Sequence, residues 1–437
     1  MKSLFEFILS QKGYPLDEMR LRLAGIQKVL WRNSLNDDVR KGNVLDFHYQ
    51  QNKSYKSFIG EVIPQRWEDV PLITKHSFQT GLDEWLAKGY SQKNVFLNST
   101  SGSSGIPFKF AKDREAHALT WALFEHRYRE VGIDVFRDLE ARFYGIPISP
   151  YSKYLKERMK DFIARRIRFP VFNLADDILE TFYLRFANKR FVYLNGYTNS
   201  LVALAEYIIL KDHKPLKQIC PTLKTCITTA EMCSPEDRKL MESAFGVRVV
   251  NEYGAAELGI LAFEDSEGDW ILNEEDLHIE ILDDSNQPVE NGLEGKIVVT
   301  SIYNKAMPFI RYQLGDRGII STEKKGPYRV LDRLTGRIND MAVLPSGRKV
   351  PGLTFYYVTK ALLKEEGLIK EIVIKQDALD SFLILYSGTR NLNTPEKENV
   401  HDLLATYLEP NLKLRIERVD QIRRQPSGKL KQFEKTF

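Results

Sequence analysis

Phe191-Val192-Tyr193-Leu194-Asn195-Gly196-Tyr197-Thr198-Asn199 reads as a strand, a turn and the first residues of a helix. Four consecutive apolar residues favour extended backbone, and Asn195-Gly196-Tyr197 supplies the turn. Thr198 or Asn199 then caps an apolar helix that runs to about Leu210. The pattern repeats downstream: Leu223 to Thr228 is a strand, Pro235 to Phe245 a helix closed by Gly246, and Val247 to Val250 a third strand. Such alternation with short connections predicts an α/β fold, a mainly parallel sheet covered by helices. Ligands of open α/β sheets bind beyond the carboxyl ends of the strands. Three segments lie there: Asn195-Gly196-Tyr197, Thr229-Ala230-Glu231 and Asn251-Glu252-Tyr253-Gly254-Ala255-Ala256-Glu257.

Working outward, Arg114 to Val131 has helical spacing of Ala118, Trp121, Leu123, Phe124 and Tyr128 and is ended by Gly132. Residues 1–90 are polar and helix-rich, a cap with an extended joint at Asp69-Val70-Pro71-Leu72. Beyond Gly336-Arg337-Ile338-Asn339-Asp340 the texture changes to strands at Ile372 to Lys375 and Ser381 to Tyr386, a helix from Pro395 to Leu408, and a basic end. The expected division is a large domain over 1–338, including the helical cap, and a small α+β domain over 340–437.

Composition removes several classes. The 63 basic and 59 acidic residues of the 437 leave a net charge of +4, too small to argue for nucleic acid. The start mixes Leu4, Phe5, Phe7, Ile8 and Leu9 with Glu6, Lys12 and Asp17, unlike a signal peptide, and no apolar run is long enough to span a membrane. The expected location is the cytoplasm. Cys220, Cys226 and Cys233 match no zinc or redox spacing and read as reduced thiols.

Asn98-Ser-Thr-Ser-Gly-Ser-Ser-Gly-Ile-Pro-Phe-Lys109 packs hydroxyls and glycines between apolar flanks, Val95 to Leu97 and Phe108 to Phe110. Gly102 and Gly105 free the backbone to turn N–H groups toward an anion, and Thr100, Ser101, Ser103 and Ser104 add hydroxyl donors. The stretch lacks a Walker Gly-Lys-Ser/Thr, and a plain Ser/Gly linker has the same composition. Tyr253 offers a face on which a base gains ~1–3 kcal/mol by stacking, and Glu257 offers a carboxylate of the kind Mg²⁺ takes. Read alone, that Tyr-Gly turn is more often structural. Asp316, after Gly315, reads as an acceptor for two ribose hydroxyls or as an ordinary turn residue. Lys429 in Gln425-Pro426-Ser427-Gly428-Lys429 reads alone as a solvated lysine. The basic residues from Lys153 to Arg168 read likewise as a solvated helix face.

The order of these motifs over nearly the whole chain resembles the adenylate-forming superfamily, in particular the phenylacetate-coenzyme A ligase branch and its CapK-like relatives. The resemblance implies that Thr100, Ser101, Gly102, Ser103, Ser104 and Gly105 hold the ATP phosphates and that Ala230 and Glu231 lie beside adenine. It implies further that Asn251, Tyr253 and Gly254 belong to the nucleotide site, with Tyr253 stacking and Glu257 binding magnesium. Asp316 then takes the ribose, Arg337 the ribose or phosphate, Lys429 acts as the mobile catalytic cation, and Asn339 falls at the hinge, where the family often has Asp. The implied reaction is AMP-forming acid–thiol ligation. ATP activates a carboxylic acid as acyl-adenylate with pyrophosphate release, and coenzyme A accepts the acyl group. Trp121, Phe124, His126, Tyr197 and Ala255 are the expected acyl-pocket residues, and Gly347-Arg348-Lys349 an expected contact for coenzyme A phosphates or an exposed basic turn.

Departures keep alternatives open. Ala256 replaces the family's Ser or Thr before the magnesium Glu, and Phe108 stands at the usual Lys position, with Lys109 adjacent. Phe263 to Trp270 has neither Cys nor His, so no zinc is expected. A CapK-like ligase of surface polysaccharide biosynthesis, forming an amide or ester on an amine or sugar, is one alternative; a non-catalytic nucleotide-binding relative is another. A hydrolase is disfavoured, because Gly-x-Ser-x-Gly is absent and Pro345 and Gly347 spoil the helix that Ser346-Gly347-Arg348-Lys349 would need. A homodimer is compatible with every reading.

Overall fold

Capping chemistry organises the amino-terminal region. In the computed structural model, which describes residues 2–32, 34–78, 80–99, 108–144, 151–171, 174–337, 341–351, 355, 369–423 and 433–437, α1 (Leu4–Gln11) begins with a Ser3–Glu6 capping box. α2 (Leu16–Trp31) follows, then α3 (Asp37–Gln51) and α4 (Lys53–Ile59), started by the side chains of Asn36 and Asn52. Arg40 fastens α3 to the body by donating to the carbonyls of Glu274 and Glu275.

The body is one large mixed sheet. Its strands are β3 (Glu140–Phe143), β4 (Arg166–Phe169), β5 (Tyr193–Tyr197), β6 (Thr225–Thr229), β7 (Arg248–Ala255), β8 (Gly259–Glu264), β9 (Trp270–Leu272), β10 (Leu277–Leu282), β11 (Glu294–Ser301), β12 (Tyr312–Lys325) and β13 (Tyr328–Arg337). They run in the order β10-β11-β12-β13-β9-β8-β7-β6-β5-β3-β4, preceded in sequence by a separate ribbon of β1 (Phe96–Ser99) and β2 (Lys109–Lys112). The half from β4 to β7 is parallel, as the alternation implies. From β7 onward every pairing in this sheet is antiparallel; short turns join β7 to β8, β8 to β9 and β12 to β13.

Helices cover the parallel half: α5 (Arg114–Glu130), α6 (Tyr151–Ile163), α7 (Asp176–Asn188), α8 (Thr198–Leu210), α9 (Leu216–Ile219) and α10 (Pro235–Phe245). α7, α8 and α10 bury Phe182, Leu201, Leu204 and Phe245 against Phe143, Phe169 and Cys226. α5 buries Leu119 and Leu123 together with Leu9 and Leu23 from α1 and α2. The carboxyl-terminal part has its own core, with Val350, Phe355, Ile374, Ile384, Leu404 and Phe433. It comprises the hairpin β14 (Met341–Val343) and β15 (Lys349–Pro351), a sheet of β16 (Ile369–Ala378), β17 (Ser381–Gly388), β18 (Lys413–Val419) and β19 (Phe433–Lys435), and α11 (Thr394–Tyr407).

Three local readings change, the first being that α8 starts at Thr198 with Tyr197 in the cap position and no side-chain cap bond. Asn195-Gly196-Tyr197 is the end of β5 rather than a turn, and Gly196 is needed there because a Cβ would sit 2.5 Å from the Cβ of Phe143 on the neighbouring strand. Asn251 to Ala255 likewise extends β7, which turns back through Ala256 to Leu258 into β8.

Candidate active site

The β7–β8 hairpin carries the central residues. Gly254 is required by the hairpin itself, since a Cβ would lie 2.8 Å from the Gly259 carbonyl oxygen. The Tyr253 hydroxyl donates to Asp316 Oδ2 at 2.9 Å. Asp316 lies within β12 beside an irregularity in its pairing with β11, not in a tight turn; Gly315 takes φ +92° there, which re-aims the strand. Arg337 pairs with Asp316 across β12 and β13. Tyr253, Asp316 and Arg337, scattered in sequence, are thereby grouped.

Glu257, in the hairpin turn, is only 2% exposed. Its Oε1 accepts from the Tyr312 hydroxyl at 2.8 Å and lies 3.5 Å from Lys75 Nζ. Burial and the Glu257 charge both push the Tyr312 pKa up, so that phenol stays a donor. Lys75 arrives because Ile73 pairs with the head of β12, donating to Arg311 O at 3.2 Å and accepting from Gln313 N at 2.9 Å. Among the described residues the Glu257 side-chain contacts fall on Oε1, and a carboxylate is the ligand type a divalent cation takes. Mg²⁺ commonly takes one or two carboxylates plus phosphate oxygens, a donor set this residue suits. Lys112, at the end of β2, is buried and donates to Thr120 Oγ1 at 3.0 Å; burial pushes its pKa down to about 8, against the attraction of Asp276 and Glu257.

The neighbouring strand ends are tied to one another and to α8 by their own side chains. Ala230 adopts φ +66°, and the Glu231 carboxylate accepts from the Asn199 amide at 2.9 Å, fastening the β6 end to the start of α8. Asn251 Oδ1 accepts from Thr228 Oγ1 at 2.6 Å. Glu252 accepts from Tyr128 at 2.8 Å and from Thr229 Oγ1 at 3.3 Å, and burial raises its pKa.

The five expected acyl-pocket residues fall among different neighbours. Trp121 and Phe124 pack with α1 and with each other, the Phe5–Trp121 ring centroids lying 4.8 Å apart. His126 Nε2 lies 3.7 Å from Glu130, Tyr197 packs on Tyr144 at 4.5 Å, and Ala255 lies against the core beneath the antiparallel strands. Thr100, Ser101, Gly102, Ser103, Ser104, Gly105, Asn339 and Lys429 lie outside the described residues, as does the side chain of Arg337. The flanks of the Ser/Gly loop are described: β1 and β2 pair antiparallel, Ser99 opposite Lys109, as the strand–loop–strand reading anticipates. Arg348 donates to Tyr407 O at 3.3 Å. The sequence reading gave no role to Tyr312 or Lys112. The signal for Lys112 was a lysine on the burial phase of a strand; Tyr312 carried none.

No protein-family profile matches the chain. Phenylacetate-coenzyme A ligase of Aromatoleum evansii is 25% identical over 201 residues, 44% of each chain, and that of Pseudomonas putida 24% identical over 222 residues, 48% of this chain and 49% of its own. The aligned part thus spans about half the length of these relatives. Among solved structures, 2-hydroxyisobutyryl-CoA ligase in the postadenylation state, in complex with R3-HIB-AMP, superposes with a TM-score of 0.68 at 17% identity over 90% of this chain and 87% of its own. The same ligase with 2-HIB-AMP and CoA in the thioesterification state gives 0.58 at 18% identity over 94% and 90%. The chain therefore has the fold of the adenylate-forming ligases and is related in sequence to the phenylacetate-coenzyme A ligases.

Proposed function

We propose that the chain condenses a carboxylic acid with ATP to an acyl-adenylate and then transfers the acyl group to coenzyme A. The observation that carries this reading is the grouping of Tyr253, Asp316 and Arg337 beside the Lys75–Glu257–Tyr312 cluster. In the first half-reaction a substrate carboxylate oxygen attacks the α-phosphorus and the bond to the β-phosphate breaks, releasing pyrophosphate. In the second, the thiol sulfur attacks the acyl carbonyl and AMP leaves.

The residues divide the work of binding the nucleotide and of offsetting the repulsion between two anions. Tyr253 stacks the base, and Asp316 accepts from the ribose while receiving the Tyr253 hydroxyl. Glu257 holds Mg²⁺, which when bound neutralises phosphate charge. Thr100 to Gly105 cradles the outer phosphates, and Lys429, brought by the domain over 340–437 turning about Asn339, supplies the mobile cation. The acid is expected near Trp121, Phe124, His126, Tyr197 and Ala255, of which Tyr197 and Ala255 lie at the carboxyl ends of β5 and β7. The cytoplasm is the compartment that supplies ATP and coenzyme A.

Two observations support second readings. Arg348 spends one of its five guanidinium donors on the Tyr407 carbonyl, and an amine or sugar acceptor of the CapK-like kind is the second reading beside a coenzyme A phosphate contact in that turn. Ala256 lacks a hydroxyl beside Glu257, which favours a nucleotide-binding relative without turnover. Pyrophosphate release over a panel of carboxylic acids, with Lys429→Ala as control, tests the central claim. No acid above that control refutes ligation. Products formed with coenzyme A, amines or sugar nucleotides then identify the acceptor.

A further inference from the structure

α6 is turned inside out. A surface helix ordinarily sets its apolar stripe on the core. Here Glu157 and Asp161 face the sheet. Asp161 is 4% exposed and accepts from Arg166 Nε at 2.8 Å and Arg168 Nε at 3.0 Å, while Glu157 accepts from Arg168 at 2.7 Å. Leu155, Met159 and Phe162 are 55%, 60% and 76% exposed. Their spacing puts them on one face of the helix, a stripe roughly 10 Å long. Among the described residues α6 adds no side chain to any apolar core cluster.

The four-residue ion-pair lattice fixes this orientation, so the exposed stripe is held outward. Charge selects its occupant. Between Lys153 and Arg168 there are seven basic residues and two acidic ones, and both acids are engaged with Arg166 and Arg168. Arg158 and Lys160 are exposed beside the stripe; Lys160 pairs with Glu157 at 2.7 Å, and Arg158 adds positive charge at the border. A second copy is a poor fit, because symmetric pairing would set Arg158 and Lys160 near their own counterparts, and three side chains offer far less than the ~800 Å² per partner of a stable interface.

We propose that α6 docks on an anionic lipid bilayer, with Leu155, Met159 and Phe162 entering the headgroup–acyl boundary and the flanking basic residues meeting lipid phosphates. This is attachment in the plane of the surface; no helix among the described residues is long and apolar enough to cross a membrane.

The test is co-sedimentation of the full chain with vesicles of phosphatidylcholine alone or with about one-third phosphatidylserine. The chain pellets with the anionic vesicles, less as salt rises, and not with the neutral ones. The triple variant Leu155→Ser, Met159→Ser, Phe162→Ser lowers partitioning about a hundredfold or more. Arg158→Gln with Lys160→Gln, which keeps the stripe, lowers it about tenfold to thirtyfold at low salt. Wild-type failure to bind anionic vesicles, or equal binding by the triple variant, overturns the proposal. So does a wild-type dimer that the triple variant converts to monomer, since the stripe would then belong to a second copy.

Discussion

Replacing Glu257 with Gln separates its charge from its shape. Gln keeps an Oε1 that accepts from Tyr312, so the buried 2.8 Å hydrogen bond survives. What disappears is the negative charge that faces Lys75 at 3.5 Å and also attracts the buried Lys112. The Lys75 side chain is 45% exposed, so solvent screening limits that ion pair to about 1 kcal/mol or less. The thermal midpoint should then move by no more than roughly 4 °C. Activity should respond very differently. Losing the one charged ligand offered to Mg²⁺ should lower pyrophosphate release by about 10²–10³-fold and raise the Mg²⁺ concentration needed for half-maximal rate. Glu257→Ala removes the acceptor as well and strands the Tyr312 hydroxyl, which adds about 1–3 kcal/mol of destabilisation. Rates are read as pyrophosphate release against Mg²⁺ concentration, with melting curves on the same samples. If Glu257→Gln melts like wild type and keeps its rate within about threefold at every Mg²⁺ level, Glu257 does not hold the metal.

Tyr253→Ala should raise KM for ATP by roughly 10–100-fold through lost stacking, and Tyr253→Phe by less, since only the bond to Asp316 goes; equal effects would place the contribution in the hydroxyl. Gly196→Ala forces a Cβ to 2.5 Å from Phe143, so denaturant unfolding should report roughly 1–3 kcal/mol of lost stability, and an unchanged midpoint would contradict that close approach. Burial holds His48 down at about 4 and His117 at about 3, both below the unfolded value of 6.5. The unfolded chain therefore binds more protons, and stability is present above pH 6.5 and falls toward pH 4, by up to about 1.4 kcal/mol per pH unit per histidine. Phe in place of His117, which stacks on Phe96 at 3.7 Å, should flatten that slope between pH 6.5 and 4; an identical slope in urea titrations would refute the assignment.

Local chemistry was legible wherever its cause was local. The helix Pro235–Phe245 follows from Ser234, Asp237 and Gly246: a capping box at one end and a left-handed residue, φ +67°, at the other. The same logic misread Asn195 to Tyr197 and Asn251 to Ala255. Gly196 and Gly254 look like turn residues, yet their missing Cβ atoms serve close contact with Phe143 and Gly259 on neighbouring strands. Nothing local says which face of α6 points inward, because its buried charges are matched by Arg166 and Arg168 on a strand.

The sequence by itself determined the alternation of strands and helices and the ordered set of residue types that nucleotide chemistry needs, since propensity, caps and motif spacing act over a few residues. Only the tertiary structure decided that half of the sheet is antiparallel, that Tyr253 meets Asp316, and that Lys75 and Tyr312 converge on Glu257. Those contacts depend on strand register and on burying charge beside a partner, and both are settled by packing between segments far apart in the chain.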